Sequence, residues 1–471
     1  MFKKSLLLLL IVSTMYGEKE SPMAREIKKM KFEPLKWEVP AVGKDIKKVA
    51  GESGIVLYIK ENHSLPLVEI NVYIKGGPAY MEYGQKLHPW LIASCLMRGG
   101  TLSYDPDELI DSLEFNAIDI NVKSNDEYFS LSMAFQPQFE ELAIKLMEEI
   151  LFKPRFDAEI VYNEKLKIIN EWQRSMDDPG QLLYEASKEV LYNGHPLGSK
   201  PDFESFNAVT PQEILGIHKR FFQPKNMVVS VVGDINSDSL VNILFSVFDS
   251  KYNNDYDLEL KPAPTLGERK VYFVQREIPQ GYIHFVQDAP AGYFEDTYKI
   301  SLVSDILGGG FNSKIVSKVR NELGLAYSTY AYFSSLTNLK GTFYAFSATR
   351  SDAVEQSIYC IEDVIKQMEN GQISEEELNL SKESFLNSSV TSVRNDWAYV
   401  QRLALRSLFG FPDDYFERMN DEIKDLTLQD IKDASKEYLD HEKMSIIIVG
   451  DSTKINLKTI EKFGPIELLA L

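Results

Sequence analysis

Cysteine is nearly absent. Cys95 and Cys360 stand alone and far apart in 471 residues, which excludes a disulfide framework and a cysteine-based zinc site. Histidine is scarce too. None of His63, His88, His195, His218, His284 and His441 lies within a helical turn of another, so no helix offers a His-x-x-x-His face to a metal. Basic charge is in deficit. A net charge of −19 lacks the cationic footprint that nucleic-acid binding requires; it reads as a solvated acidic surface, compatible with cationic peptides. No Gly-x-Ser-x-Gly elbow occurs, so nothing supports a Ser-His-Asp hydrolase. Hydrophobic content of 44% fills sizeable cores but is too low for a polytopic membrane protein.

The N-terminal apolar run, Leu6 to Val12, is too short to span a bilayer stably. Lys3 and Lys4 precede it, and Ser13 and Thr14 follow. That is the layout of a secretory leader. The expectation is a signal peptide over 1–17, export to the periplasm or the cell exterior, and no stable membrane insertion. A charged extension over 18–44 follows.

Patterning beyond that point alternates between strand and helix periods. Ile55 to Ile74 reads as two strands around a turn at Asn62 to Pro66. Trp90 to Met97 reads as a buried helix, and Asp105-Pro106-Asp107-Glu108 as the start of another. Ile118 to Val122 and Tyr128 to Phe135 read as paired strands; Phe139 to Ile150 and Ile160 to Arg174 have helical spacing; Met227 to Val232 is a buried strand. Thr210 to Asp234 aligns without a gap to Thr427 to Asp451, with 8 of 25 positions identical and an offset of 217. A period so long means a duplicated domain rather than a solenoid. The stretch Lys251 to Arg269, with Pro262, Pro264 and Gly267, has linker composition. The expected class is α+β: two duplicated half-domains at 45–250 and 270–471, joined by a linker at 251–269, each a mainly antiparallel sheet flanked by helices.

One stretch stands out, Leu307 to Tyr330. Gly308, Gly309 and Gly310 end an apolar run, a short helical pattern follows to Arg320, Gly324 breaks it, and Tyr327 and Tyr330 lie on a strand. The glycines are not a phosphate loop, because Phe311-Asn312-Ser313-Lys314 follows where Gly-Lys-Ser/Thr is required. On spacing alone Arg320 either answers a helix dipole or converges with Tyr327 on a ligand, and the first reading is favoured. Glu164 and Glu171 share a helical face, as acid and metal ligand or as a solvated acidic stripe; without histidines nearby the stripe is favoured.

Several segments together resemble the pitrilysin-like (insulinase-type) zinc peptidase family, in its small two-domain branch. They are Glu61 to Pro66, Lys75-Gly76-Gly77, Arg98-Gly99-Gly100-Thr101, Asn116-Ala117, Glu164 with Glu171, His195-Pro196-Leu197-Gly198, and Gly308 to Tyr330. The resemblance implies a clamshell of half-domains around an unfolded peptide. It also implies an inverted zinc motif, His-x-x-Glu-His, at the positions here occupied by Leu91, Ile92, Ala93, Ser94 and Cys95. Both histidines and the catalytic glutamate are missing, and His88 is three residues too early. Glu171 matches the distal zinc ligand and is the weak metal candidate that remains. No catalytic residue and no cofactor is expected in this chain alone. Arg320 and Tyr327 match the family's substrate-contacting pair, and Asn116 a further substrate-binding position. The resemblance thus implies the zinc-less subunit of a heterodimer whose paralogous partner carries zinc, with a peptide or unfolded protein as substrate. The alternatives are a non-catalytic scaffold of the same fold, and a peptidase working alone through Glu171, Cys95 and a further histidine.

Overall fold

The computed structural model describes residues 23, 38–251, 258–334 and 337–470. The leader expected at 1–17, most of the 18–44 extension and residues 252–257 of the linker lie outside them.

Two six-stranded mixed sheets carry the fold. The first has β1 (Lys47–Ala50), β2 (Val56–Glu61), β3 (Val68–Lys75), β4 (Asp119–Ser124), β5 (Tyr128–Phe135) and β6 (Met227–Gly233), in the order β1-β2-β6-β3-β5-β4. The second has β7 (Val271–Gln275), β8 (Gln280–Ala289), β9 (Ala326–Ser334), β10 (Gly341–Arg350), β11 (Ser445–Gly450) and β12 (Ile466–Leu468), in the order β12-β7-β11-β8-β10-β9. The repeat visible in the sequence is therefore a repeat of topology. Only the outer strand differs. β1 runs antiparallel to β2, whereas β12 comes from the chain's end and runs parallel to β7.

The strands expected within 55–74 form but do not pair with each other. β6 lies between them, parallel to β2 and antiparallel to β3. Its sequence, MVVSVVG, and that of β11, SIIIVG, are buried along their whole length. A run that is apolar on both faces suits a strand covered on both sides, which alternation alone does not reveal.

The helices that position the sites are α1 (His88–Arg98), α2 (Pro106–Phe115), α3 (Ala158–Ser175), α4 (Pro179–Leu191), α5 (Thr297–Ser304), α6 (Glu375–Arg394) and α7 (Asp396–Leu408). The capping signal at Asp105 is realised: its side chain accepts from the Glu108 N–H, Glu108 answers in return, and Pro106 opens α2. Helices α4 and α7 begin 217 residues apart, the offset of the repeat, and they exchange sheets. Helix α4 packs on β8 and β11 of the second sheet, while α7 packs on β2, β3 and β6 of the first.

This exchange closes the two halves on each other. One hydrophobic cluster runs from the first half into Val286, Tyr344, Ile447 and Val449 of the second. Polar ties reinforce it. Lys60 Nζ lies 2.6 Å from Asp396 Oδ1, and Asn62 Nδ2 donates to Asp396 Oδ2 at 2.8 Å. Asn338 donates its backbone N–H to Glu127 Oε2 at 2.7 Å, and Lys340 Nζ donates to the Leu191 carbonyl at 2.7 Å. No helix among the described residues is long and apolar enough to cross a membrane.

Candidate functional site

Two groups of residues hold the positions singled out in the sequence. The first lies where α1, α3 and β4 meet. Ser94 on α1 donates its hydroxyl to Glu164 Oε2 on α3. Glu164 is buried, whereas Glu171, two turns on, is exposed. Two cations bracket these carboxylates: Arg98 Nε is 3.6 Å from Glu164 Oε1, and Lys167 Nζ is 3.7 Å from Glu164 Oε2 and 3.9 Å from Glu171 Oε1. Leu91 and Cys95, at the histidine positions of the motif, point into the core with 0% and 1% of their surface exposed. Burial pushes the Cys95 thiol up to about 12.

This donor set does not fit zinc. One position is aliphatic, one is a thiol packed in the core and one is a serine already committed to Glu164. The carboxylates that remain have ammonium and guanidinium groups as neighbours. Among the described residues no group of three His, Cys, Asp or Glu side chains is arranged to hold a metal ion. His88 does not compensate. It is buried at the start of α1, its ring edge-on to Phe206 and its Nδ1–H directed at the Gln85 carbonyl at 3.1 Å. Desolvation holds its pKa below the usual histidine range.

The second group is on the other half. Helix α5 runs on into a wider turn, Asp305–Gly309, which lies against β9. Gly308 permits this approach, since a Cβ there would stand 2.0 Å from the Ala331 backbone nitrogen. A second wide helical turn, Val316–Glu322, carries Arg320, and Gly324 at φ +60° reverses the chain into β9. The helix, loop, helix, turn and strand expected over Leu307 to Tyr330 are all present. Arg320 sits between two rings, 4.8 Å from the centroid of Phe311 and 4.6 Å from that of Tyr327. Phe311 is 65% and Tyr327 84% exposed, so the sandwich faces solvent.

The structure brings Ser94, Glu164 and Glu171 together, and it brings Arg320 and Tyr327 together. The two groups stand on different halves of the chain, the first on α1 and α3 and the second on the turn before β9 and on β9 itself. Asn116 belongs to neither. It ends α2, with Nδ2 donated to the Ser112 carbonyl at 2.7 Å, and it lines a shallow cleft beside the exposed Phe115. Sequence reasoning missed Arg98, Lys167 and Phe311. The spacing Glu164, Lys167, Glu171 carried the signal for the second of these, because residues three and four apart share a helical face. Phe311 meets Arg320 only through the fold.

Comparison with known proteins finds a matching family and similar chains. Residues 208–385 match the family described as peptidase M16 inactive domain. The chain is 23% identical over 418 residues to a Helicobacter pylori protein named non-peptidase homolog YmxG, covering 85% of this chain and 92% of the relative. It is 22% identical over 362 residues to the Bacillus subtilis protein named uncharacterized zinc protease YmxG, covering 74% and 85%. Among solved structures it is similar to a peptidase M16 inactive domain from Pseudomonas fluorescens, at TM-score 0.78, 20% identity and coverage of 86% and 98%. It is also similar to the first half of the periplasmic protease PqqL from Escherichia coli, at TM-score 0.73, 15% identity and coverage of 92% and 99%. At these identities the structures establish the fold.

Proposed function

The chain belongs to the pitrilysin-like peptidase M16 family in its zinc-less form, and from that premise we propose that it is the peptide-binding subunit of an exported heterodimeric metalloendopeptidase. The observation that carries this reading is an asymmetry. At the zinc-motif positions Leu91 and Cys95 are buried and Ser94 is bonded to Glu164, and Glu164 and Glu171 have cations beside them, whereas half-buried Arg320 lies against the exposed Tyr327 ring. A paralogous partner supplies the zinc and the general base; this chain supplies contacts to the peptide. The Arg320 guanidinium has no hydrogen-bonding partner among the described residues, so its planar donors are free to hold a peptide carbonyl or carboxylate. The Tyr327 hydroxyl, on a strand edge in open solvent, donates to an oxygen that gains negative charge as the peptide bond is attacked. The leader-like pattern of residues 1–17 supports a location in the periplasm, or outside a cell that lacks an outer membrane.

The test is to purify the chain with the zinc-motif paralogue of its own genome and assay hydrolysis of unstructured peptides. Activity should need both chains, and Arg320→Ala or Tyr327→Phe should lower it. Full activity in both variants would count against the proposal. A second reading, a non-catalytic holder of polypeptides, draws support from the closed core between the halves and from the non-peptidase name of one relative. Absence of any zinc-motif paralogue from the genome would favour it.

A further inference from the structure

The lost metal site has acquired a different chemistry. Between α1, α3 and β4 lies an open cleft of about 580 Å³, within the size range of ligand-binding clefts. One wall is apolar, built from Trp90, Met97, Ile110 and Ile168. Three cations line the rest: Arg98 from α1, Lys123 from β4 and Lys167 from α3. Glu171 is the one carboxylate among the lining residues, and Glu164 lies buried beneath. The cleft thus sets three cations against two carboxylates, a small positive excess in a chain whose net charge is −19.

Two of these cations form only long ion pairs within the chain. Arg98 and Lys167 approach Glu164 and Glu171 only at 3.6 to 3.9 Å, too far for a strong hydrogen bond. Their side chains are 57% and 41% exposed. Among the described residues, neither they nor Lys123 donates a hydrogen bond. A solvent-accessible ammonium or guanidinium group beside an apolar wall suits an anion attached to an apolar group.

We propose that this cleft binds the carboxylate of a peptide, with Arg98, Lys123 and Lys167 around the anion and the neighbouring apolar side chain against Trp90 and Met97. Where active relatives would polarise a carbonyl, this chain recognises a carboxylate. The site is separate from Arg320 and Tyr327 and does not depend on a partner.

The measurement is fluorescence anisotropy of the full chain with labelled Gly/Ser peptides in four forms. Two end in leucine, one with a free C-terminal carboxylate and one amidated. Two are amidated and carry an internal Leu-Glu or Leu-Gln. Loss of the relevant carboxylate should weaken binding roughly tenfold or more. The first pair reports a C-terminal carboxylate and the second a side-chain carboxylate; a preference in either supports the proposal. Arg98→Gln and Lys167→Gln should abolish the preference, and raised salt should shrink it. Arg320→Ala should leave it intact, which keeps this test independent of the heterodimer reading. Equal binding of acid and amide forms in both pairs overturns the proposal, as does a preference that survives both glutamine variants in chains shown by circular dichroism to be folded.

Discussion

Replacing Lys86 with methionine should cost about 3–5 kcal/mol of stability, the penalty for stranding a buried carboxylate. Lys86 Nζ lies 2.6 Å from Glu185 Oε2, and the two side chains are only 5% and 7% exposed. The ammonium also sits 4.8 Å from the centroid of the Trp172 ring. Desolvation by burial outweighs the attraction of Glu185 and draws the pKa of Lys86 below the usual lysine range, so the pair is held by geometry that already works against charge. Methionine keeps the volume and the contact with Trp172 but leaves Glu185 with the Gln181 amide at 3.3 Å as its remaining donor. Lys86 precedes α1, Trp172 is on α3 and Glu185 is on α4, so the pair ties together the helices beneath the cationic cleft. Equilibrium urea unfolding of wild type, Lys86→Met, Glu185→Leu and the double variant gives the coupling. The double variant should recover most of the loss, because removing both charges leaves nothing unpaired. A Lys86→Met chain within about 1 kcal/mol of wild type, or a double variant as unstable as the sum of the singles, would refute the reasoning.

Three further outcomes are expected. Acid should weaken the fold below pH 6.5: burial lowers His218 and His284 to about 3, so the unfolded chain takes up protons that the native chain refuses. Stability is then lost progressively as pH falls from 6.5 toward 3, by about 2 kcal/mol per histidine at pH 5, measurable as a shift in the urea midpoint. Gly308→Ala should force the Asp305–Gly309 turn off β9, because its Cβ would meet the Ala331 nitrogen at 2.0 Å; the cost is about 1–3 kcal/mol, read by thermal unfolding. Phe311→Ala removes one face of the Arg320 sandwich and should weaken peptide binding by the complex by about 0.5–1 kcal/mol, less than Arg320→Ala, with chain stability unchanged.

Much of the fold was legible from periodicity and caps. The repeat at offset 217 anticipated two sheets of common topology, and Asp105 caps the helix that its sequence pattern announced. Pairing was less legible. Ile55 to Ile74 looked like a hairpin because nothing local records that Met227–Gly233 inserts between its strands. The exchange of α4 and α7 between sheets was likewise invisible, since it depends on which surfaces meet after each half has formed. At the candidate site the missing histidines were plain at Leu91 and Cys95. What replaced them was not: Arg98 and Lys167 read as ordinary surface charge until the fold set them around Glu164.

On the proposed reading this chain contributes peptide contacts and not metal. The most direct test reconstitutes the chain with its zinc-motif paralogue and measures peptide hydrolysis and bound zinc for wild type and Arg320→Ala. Zinc should be found in the partner alone, neither chain should hydrolyse peptides by itself, and the Arg320→Ala complex should lose most of its activity with its zinc content unchanged. Stoichiometric zinc and hydrolysis in the isolated chain, or an Arg320→Ala complex as active as wild type, would contradict it.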